Sequence, residues 1–166
     1  FTHTHFDGAL DIHFGSAAPL WLYFAELLTG WLSVSMVLYI TGKIFSSSSI
    51  RIVDVLGTLA MARIPYIIIP LIAFIFPIDN AASAIKEYAL GKTHDVAIVS
   101  SEIIGLIIIS VLTLIIIIWV IILMWKAYSI SCNLKGPRGG WSYAIGLIVA
   151  EIISKGVLYL ISQSSV

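Results

Sequence analysis

Charge is what this sequence has least of. Asp, Glu, Lys and Arg make up 11% of 166 residues, against about a quarter in a soluble domain. Apolar residues make up 60%, and the mean hydropathy is +1.06. A water-soluble globular fold is excluded, and so is a disordered chain, which needs low hydrophobicity. Neither sign of charge prevails, since nine Lys and Arg offset nine Asp and Glu. No basic field therefore invites nucleic acid. The single cysteine, Cys132, excludes an internal disulfide, and no CxxC or Cys/His zinc spacing occurs. The HExxH and GxSxG signatures are missing too, and nothing sets a nucleophile against a base. The expectation is a protein that is not an enzyme.

Long apolar runs are what the sequence has in abundance. About 20 residues in a helix cross the roughly 30 Å of bilayer hydrocarbon, and four stretches reach that length. Trp21 to Ile40 carries one charge, Glu26. Ile52 to Phe76 carries Asp54 and Arg63 and is interrupted by Pro65 and Pro70. Ile103 to Leu123 carries none, and Trp141 to Ile161 carries Glu151 and Lys155. Barrel strands would alternate polar and apolar residues, whereas the third stretch is apolar on every side. The pattern predicts an all-α polytopic transmembrane helix bundle in a single domain, with spans at residues 19–41, 51–77, 96–125 and 141–161. The prolines predict a kink in the second span. Ser46 to Ser49 reads as a polar loop with Ser49 capping the next helix. Residues 81–90, between Asp79-Asn80 and Gly91, read as a short interfacial helix. Lys135 to Gly140 reads as a non-helical, flexible loop, or alternatively as a site for a lipid headgroup or an acidic partner surface.

The first and third loops hold Lys43, Arg51, Lys126, Lys135 and Arg138, while the second holds Lys86 and Lys92 and the tails hold none. The positive-inside rule makes loops 42–50 and 126–140 cytoplasmic, with residues 1–16 and the C-terminus extracytoplasmic. Trp21 and Tyr159 would mark one interface, and Trp125, Tyr128, Trp141 and Tyr143 the other. The chain starts at Phe1, and its first residues are acidic and His-rich, unlike the n-region of a signal peptide. A fifth span upstream is the expectation that follows.

Two groups of residues could carry chemistry. His3, His5, Asp7, Asp11 and His13 are ligand types for zinc or another divalent ion, and in an extended segment His3, His5 and Asp7 share a face. The plainer reading is a polar external tail. The second group is Glu26, Arg63, Glu102, Glu151 and Lys155, charges that normally face the interior of a bundle. Glu151 and Lys155 are spaced for an i,i+4 ion pair, and a contact between Glu26 and Arg63 is geometrically allowed. These residues read either as an ion or proton path or as a polar network that orients the helices. Gly146, Ala150 and Ser154 form a stripe for close helix packing inside the bundle or at a homodimer face, and Cys132 reads as an inert thiol.

Asp54-Val55-Leu56-Gly57-Thr58-Leu59-Ala60, leading to Arg63-Ile64-Pro65-Tyr66, and the long span ending at Trp125-Lys126 resemble the Yip-type (Ypt/Rab-interacting) membrane protein family, in particular its bacterial branch. The resemblance covers nearly the whole chain. It implies five spans with a cytoplasmic N-terminus, a bacterial inner membrane and a scaffolding or membrane-organising role. Eukaryotic members carry an Asp-Leu-Tyr-Gly-Pro motif and bind small GTPases; here that motif is not intact. The partners expected are membrane lipid and other membrane proteins or further copies of the chain. The alternative is an ion, proton or metal transporter or channel subunit.

Overall fold

The computed structural model describes residues 4–14, 18–75 and 100–164. A short hairpin, β1 (Thr4–His5) and β2 (His13–Phe14), precedes α1 (Leu20–Phe45) and α2 (Ile52–Ala62). After a 3-10 turn over Ile64–Ile67 come α3 (Ile68–Ile75), α4 (Ser100–Ser131) and α5 (Gly136–Ser164). Among the described residues, four helical stretches are long and apolar enough to cross a membrane: Leu20–Phe45, Ile52–Ala73, Ile103–Ser131 and Gly136–Ile161. The chain is an integral membrane protein with an all-α bundle. The interfacial helix expected over residues 81–90 lies outside the described residues.

Packing follows the few small and polar residues within the spans. α1 lies along α5, where a Cβ added to Gly146 would come within 2.8 Å of Leu38 Cδ2 and where Ala150 and Ser154 are fully buried. The small-residue stripe therefore packs inside the bundle, as close helix approach requires. α2 packs on α4, with Thr58 Oγ1 and Ser131 Oγ 2.8 Å apart, and Trp31 Nε1 of α1 donates to the Leu56 carbonyl of α2 at 3.2 Å. Along α4, Ile104, Ile107, Ile115 and Ile122 are exposed while Ile109 and Ile116 are buried, so most of its isoleucines cover the outside of the bundle.

The second span breaks as the prolines predict. Pro65 has no N–H to donate, α2 ends at Ala62, and Tyr66 N–H closes a tight turn on the Arg63 carbonyl at 3.0 Å. Pro70 sits in the first turn of α3, where a missing N–H is harmless.

The helix ends correct the expected boundaries. α4 runs six residues past the expected end at 125, and α5 starts five residues before 141, so the connection is only residues 132–135 and not 126–140. Tyr128 and Tyr143 are the reason. Both are core residues and not interfacial ones, with Tyr128 Oη bonded to Ser142 Oγ at 2.9 Å and Tyr143 Oη donating to the Ile121 carbonyl at 2.8 Å. Pro137 suits the first turn of α5, so Gly136 to Gly140 is helical after all. Gly136 reverses the chain at φ 67°, and a Cβ on Gly139 would press on the Leu134 carbonyl at 3.1 Å. Likewise α1 continues to Phe45, shortening loop 42–50, and α2 is capped by Arg51 without a side-chain bond, so Ser49 does not cap it. Burial of Ile50 sets that entry instead. In the short connection Cys132 packs against Gly42, and burial pushes its thiol up to about 11. That is the inert thiol expected.

Gly30 and Gly156 give a paired test of this packing. A Cβ at Gly30 would stand 2.7 Å from the Gly8 carbonyl oxygen and 3.0 Å from Arg63 Nη2, whereas Gly156 has nothing within 4 Å. Gly30→Ala should destabilise by about 1–3 kcal/mol. Gly156→Ala should be neutral or mildly stabilising, since alanine is the better helix former. Unfolding curves of both variants in the same detergent check the contrast.

Candidate functional site, a hairpin seated on buried charges

Residues 4–14 do not form a loose polar tail. Thr4 pairs with Phe14 and His5 with His13, and Asp7 N–H donates across the turn to the Asp11 carbonyl at 3.1 Å. The tip of this hairpin enters the bundle. Phe6, Ala9, Thr4 and His5 are buried, and the Phe6 ring lies 5.7 Å from that of Tyr66 on the broken span. Two glycines allow the entry, because a Cβ on Gly8 would collide with Glu151 Oε1 at 2.6 Å and one on Gly30 with the Gly8 carbonyl. Gly30 lies ten residues into α1, about 15 Å along its axis.

The bundle grips the hairpin by its backbone. Glu26 uses both oxygens, Oε1 with His5 Nδ1 at 2.9 Å and Oε2 with Phe6 N–H at 3.0 Å. Ser154 Oγ accepts from Ala9 N–H at 3.0 Å. Arg63 Nη1 donates to the Ala9 carbonyl at 2.9 Å, and Leu10 N–H donates to Glu151 Oε2 at 2.9 Å. That carbonyl and that N–H belong to one peptide unit. The Ala9–Leu10 peptide therefore stands between a guanidinium and a carboxylate with its dipole aligned to both. The Arg63 guanidinium also lies 5.1 Å over the Tyr66 ring.

Nearer the surface, Lys155 Nζ meets Asp11 Oδ2 at 2.7 Å and Glu151 Oε1 at 3.5 Å, and His13 Nδ1 meets Asp7 Oδ2 at 2.6 Å. The His5 ring stacks between His13 and Tyr23, with centroids 5.1 and 4.9 Å away. Between the hairpin and the ends of α1 and α5 lies an open cavity of about 450 Å³.

Several expectations change on this geometry. No Glu26–Arg63 contact forms among the described residues, because the hairpin comes between the helices and takes both side chains for its own backbone. The Glu151–Lys155 pair does form, although Lys155 lies closer to Asp11. His5, Asp7, Asp11 and His13 are divided among three separate pairs with Glu26, His13 and Lys155. Among the described residues no three His, Cys, Asp or Glu side chains converge as a metal set would. His3 and the Glu102 side chain lie outside the described residues. Sequence reasoning missed Ser154 and Gly8 as members of the site. The signal was there in Phe6, Ala9 and Leu10, apolar residues interleaved with the polar ones beside a glycine.

The fold and site define a helical membrane protein with a short hairpin inserted among its spans. No family model, curated protein or solved structure matches the chain.

A double-mutant cycle tests the grip on the Ala9–Leu10 peptide. Arg63→Met leaves the Ala9 carbonyl without its donor, and Glu151→Leu leaves the Leu10 N–H without its acceptor. Each should cost about 1–3 kcal/mol, the range for leaving a buried hydrogen-bonding group without its partner. The double variant should be less destabilised than the sum of the two by about 0.5–3 kcal/mol, read from unfolding in mixed micelles.

Proposed function

We propose that this chain is a non-enzymatic membrane scaffold, similar in role to the Yip-type family that its second span resembles. The observation that carries the reading is how its intramembrane charges are used. Glu26, Arg63 and Glu151 each bind backbone of residues 6–10, so these charges hold one segment in place, and among the described residues they form no chain leading from face to face. Beyond the hairpin tip the described interior carries no buried charge: Val34, Leu38, Val55, Leu59 and Ile69 are fully buried there, and its polar groups are hydroxyls such as those of Ser35 and Ser142. Such a core supports a fixed platform for lipids and for other membrane proteins.

Charge supports the orientation. Lys43, Arg51, Lys126, Lys135 and Arg138 are all exposed at the end of the bundle opposite the hairpin, so that end faces the cytoplasm and the hairpin faces the other side.

A transporter subunit is the second reading, favoured by the helix break at Arg63 beside buried charge, a feature of transporter binding sites. Proteoliposomes holding the purified chain, loaded with pH- and ion-sensitive dyes, separate the two. A scaffold gives leak rates equal to protein-free vesicles at every pH. A saturable flux that is abolished by Glu26→Gln or Glu151→Gln in a still-folded protein would overturn the scaffold and establish transport.

A further inference from the structure

The cavity beside the hairpin has two unlike walls. On one side two acid–base pairs, Asp7 with His13 at 2.6 Å and Asp11 with Lys155 at 2.7 Å, leave all four side chains about half exposed, between 47 and 50%. On the other side are Leu22 of α1 and Leu158 and Tyr159 of α5, with His5 and Glu26 completing the lining. Tyr159 and Trp21, the chain neighbour of Leu22, are 63 and 51% exposed, aromatic residues of the kind that mark the headgroup level of a bilayer. The volume of about 450 Å³ falls within the roughly 300–1,000 Å³ of small-molecule sites.

We propose that this cavity binds the headgroup of a phospholipid bearing a primary amine, drawn from the leaflet at the hairpin end. A primary ammonium has three N–H donors, and the half-exposed Asp7 and Asp11 carboxylates are acceptors for them. The adjoining phosphate is anionic, and Lys155 and His13 are the donors beside it. A zwitterion of this kind matches two acid–base pairs side by side. A choline headgroup has no N–H to give, and a glycerol headgroup brings no cation to the carboxylates. The apolar wall and its height in the membrane favour a lipid over a soluble amine phosphate, because the acyl chains continue along Leu22 and Leu158. The cavity also reaches His5 and Glu26, whose pair seats the hairpin, but the headgroup is held by Asp7, Asp11, His13 and Lys155, so the proposal does not rest on the chain acting as a scaffold.

The test is equilibrium binding of short-chain phosphatidylethanolamine, phosphatidylcholine and phosphatidylglycerol to the full chain in detergent, followed by native mass spectrometry. The ethanolamine lipid should bind about tenfold more tightly than either other lipid, the size expected for one charge-assisted hydrogen bond. Asp7→Asn and Lys155→Gln should each reduce that preference while leaving the melting temperature nearly unchanged, since both residues are half exposed. Should a variant fail to fold, the selectivity of the unsubstituted chain decides alone. Equal binding of the three lipids overturns the proposal. So does soluble O-phosphoethanolamine binding as tightly as the lipid, which would assign the cavity to a free amine phosphate.

Discussion

A peptide unit held between Arg63 and Glu151 is the contact on which the rest of this structure depends. Charges within membrane spans are costly, about 2.5–3.5 kcal/mol each on insertion scales, and irregular backbone at that depth is tolerated only when buried in protein. Either feature alone would be unfavourable. Together they offset each other, because the backbone of residues 6–10 supplies N–H donors to Glu26 and Glu151 and a carbonyl to Arg63. The dipole of the Ala9–Leu10 peptide, about 3.5 D, lies between opposite charges that would otherwise need each other directly.

The other unusual features serve that contact. The break at Pro65 ends α2 at Ala62 and leaves Arg63 at a helix C-terminus, where a cation is favoured. Gly8 and Gly30 let backbone meet helix without an intervening side chain. Ser154 is fully buried on the small-residue stripe and accepts from Ala9 N–H. One stripe thus packs α5 against α1 and also receives the hairpin. Removing any of these features would leave a buried polar group without its partner, the most expensive kind of defect in a low-dielectric interior.

The four spans and the kink were legible because the bilayer dictates them: length and apolarity define a span, and proline breaks a hydrogen-bond ladder whatever surrounds it. Helix ends were less legible. Residues 126–140 read as a loop from their cations and glycines, yet burial of Tyr128 and Tyr143 extends both helices into that stretch. Tertiary packing overrode local composition. The hairpin was illegible for a different reason, since its partners lie up to 145 residues away and are engaged through backbone atoms. Backbone donors are the same in every residue, so Phe6, Ala9 and Leu10 beside Gly8 hint at burial of the segment without naming the side chains that bind it. Of the charged residues read as facing inward, Glu26 and Arg63 are buried while Lys155 is half exposed, and pairing Glu26 with Arg63 overlooked a third party.

A membrane protein whose buried charges hold a segment in place differs physically from one whose charges conduct, and amide hydrogen exchange separates the two most directly. The measurement is exchange at Phe6, Ala9 and Leu10 with the full chain in nanodiscs. Backbone bonded to Glu26, Ser154 and Glu151 predicts amides protected to the same degree as those in the middle of α1, with protection at Leu10 lost when Glu151 is replaced by leucine. Exchange at all three amides as fast as in a free peptide would contradict the account, leaving the charges of the bundle without the partner on which this structure rests.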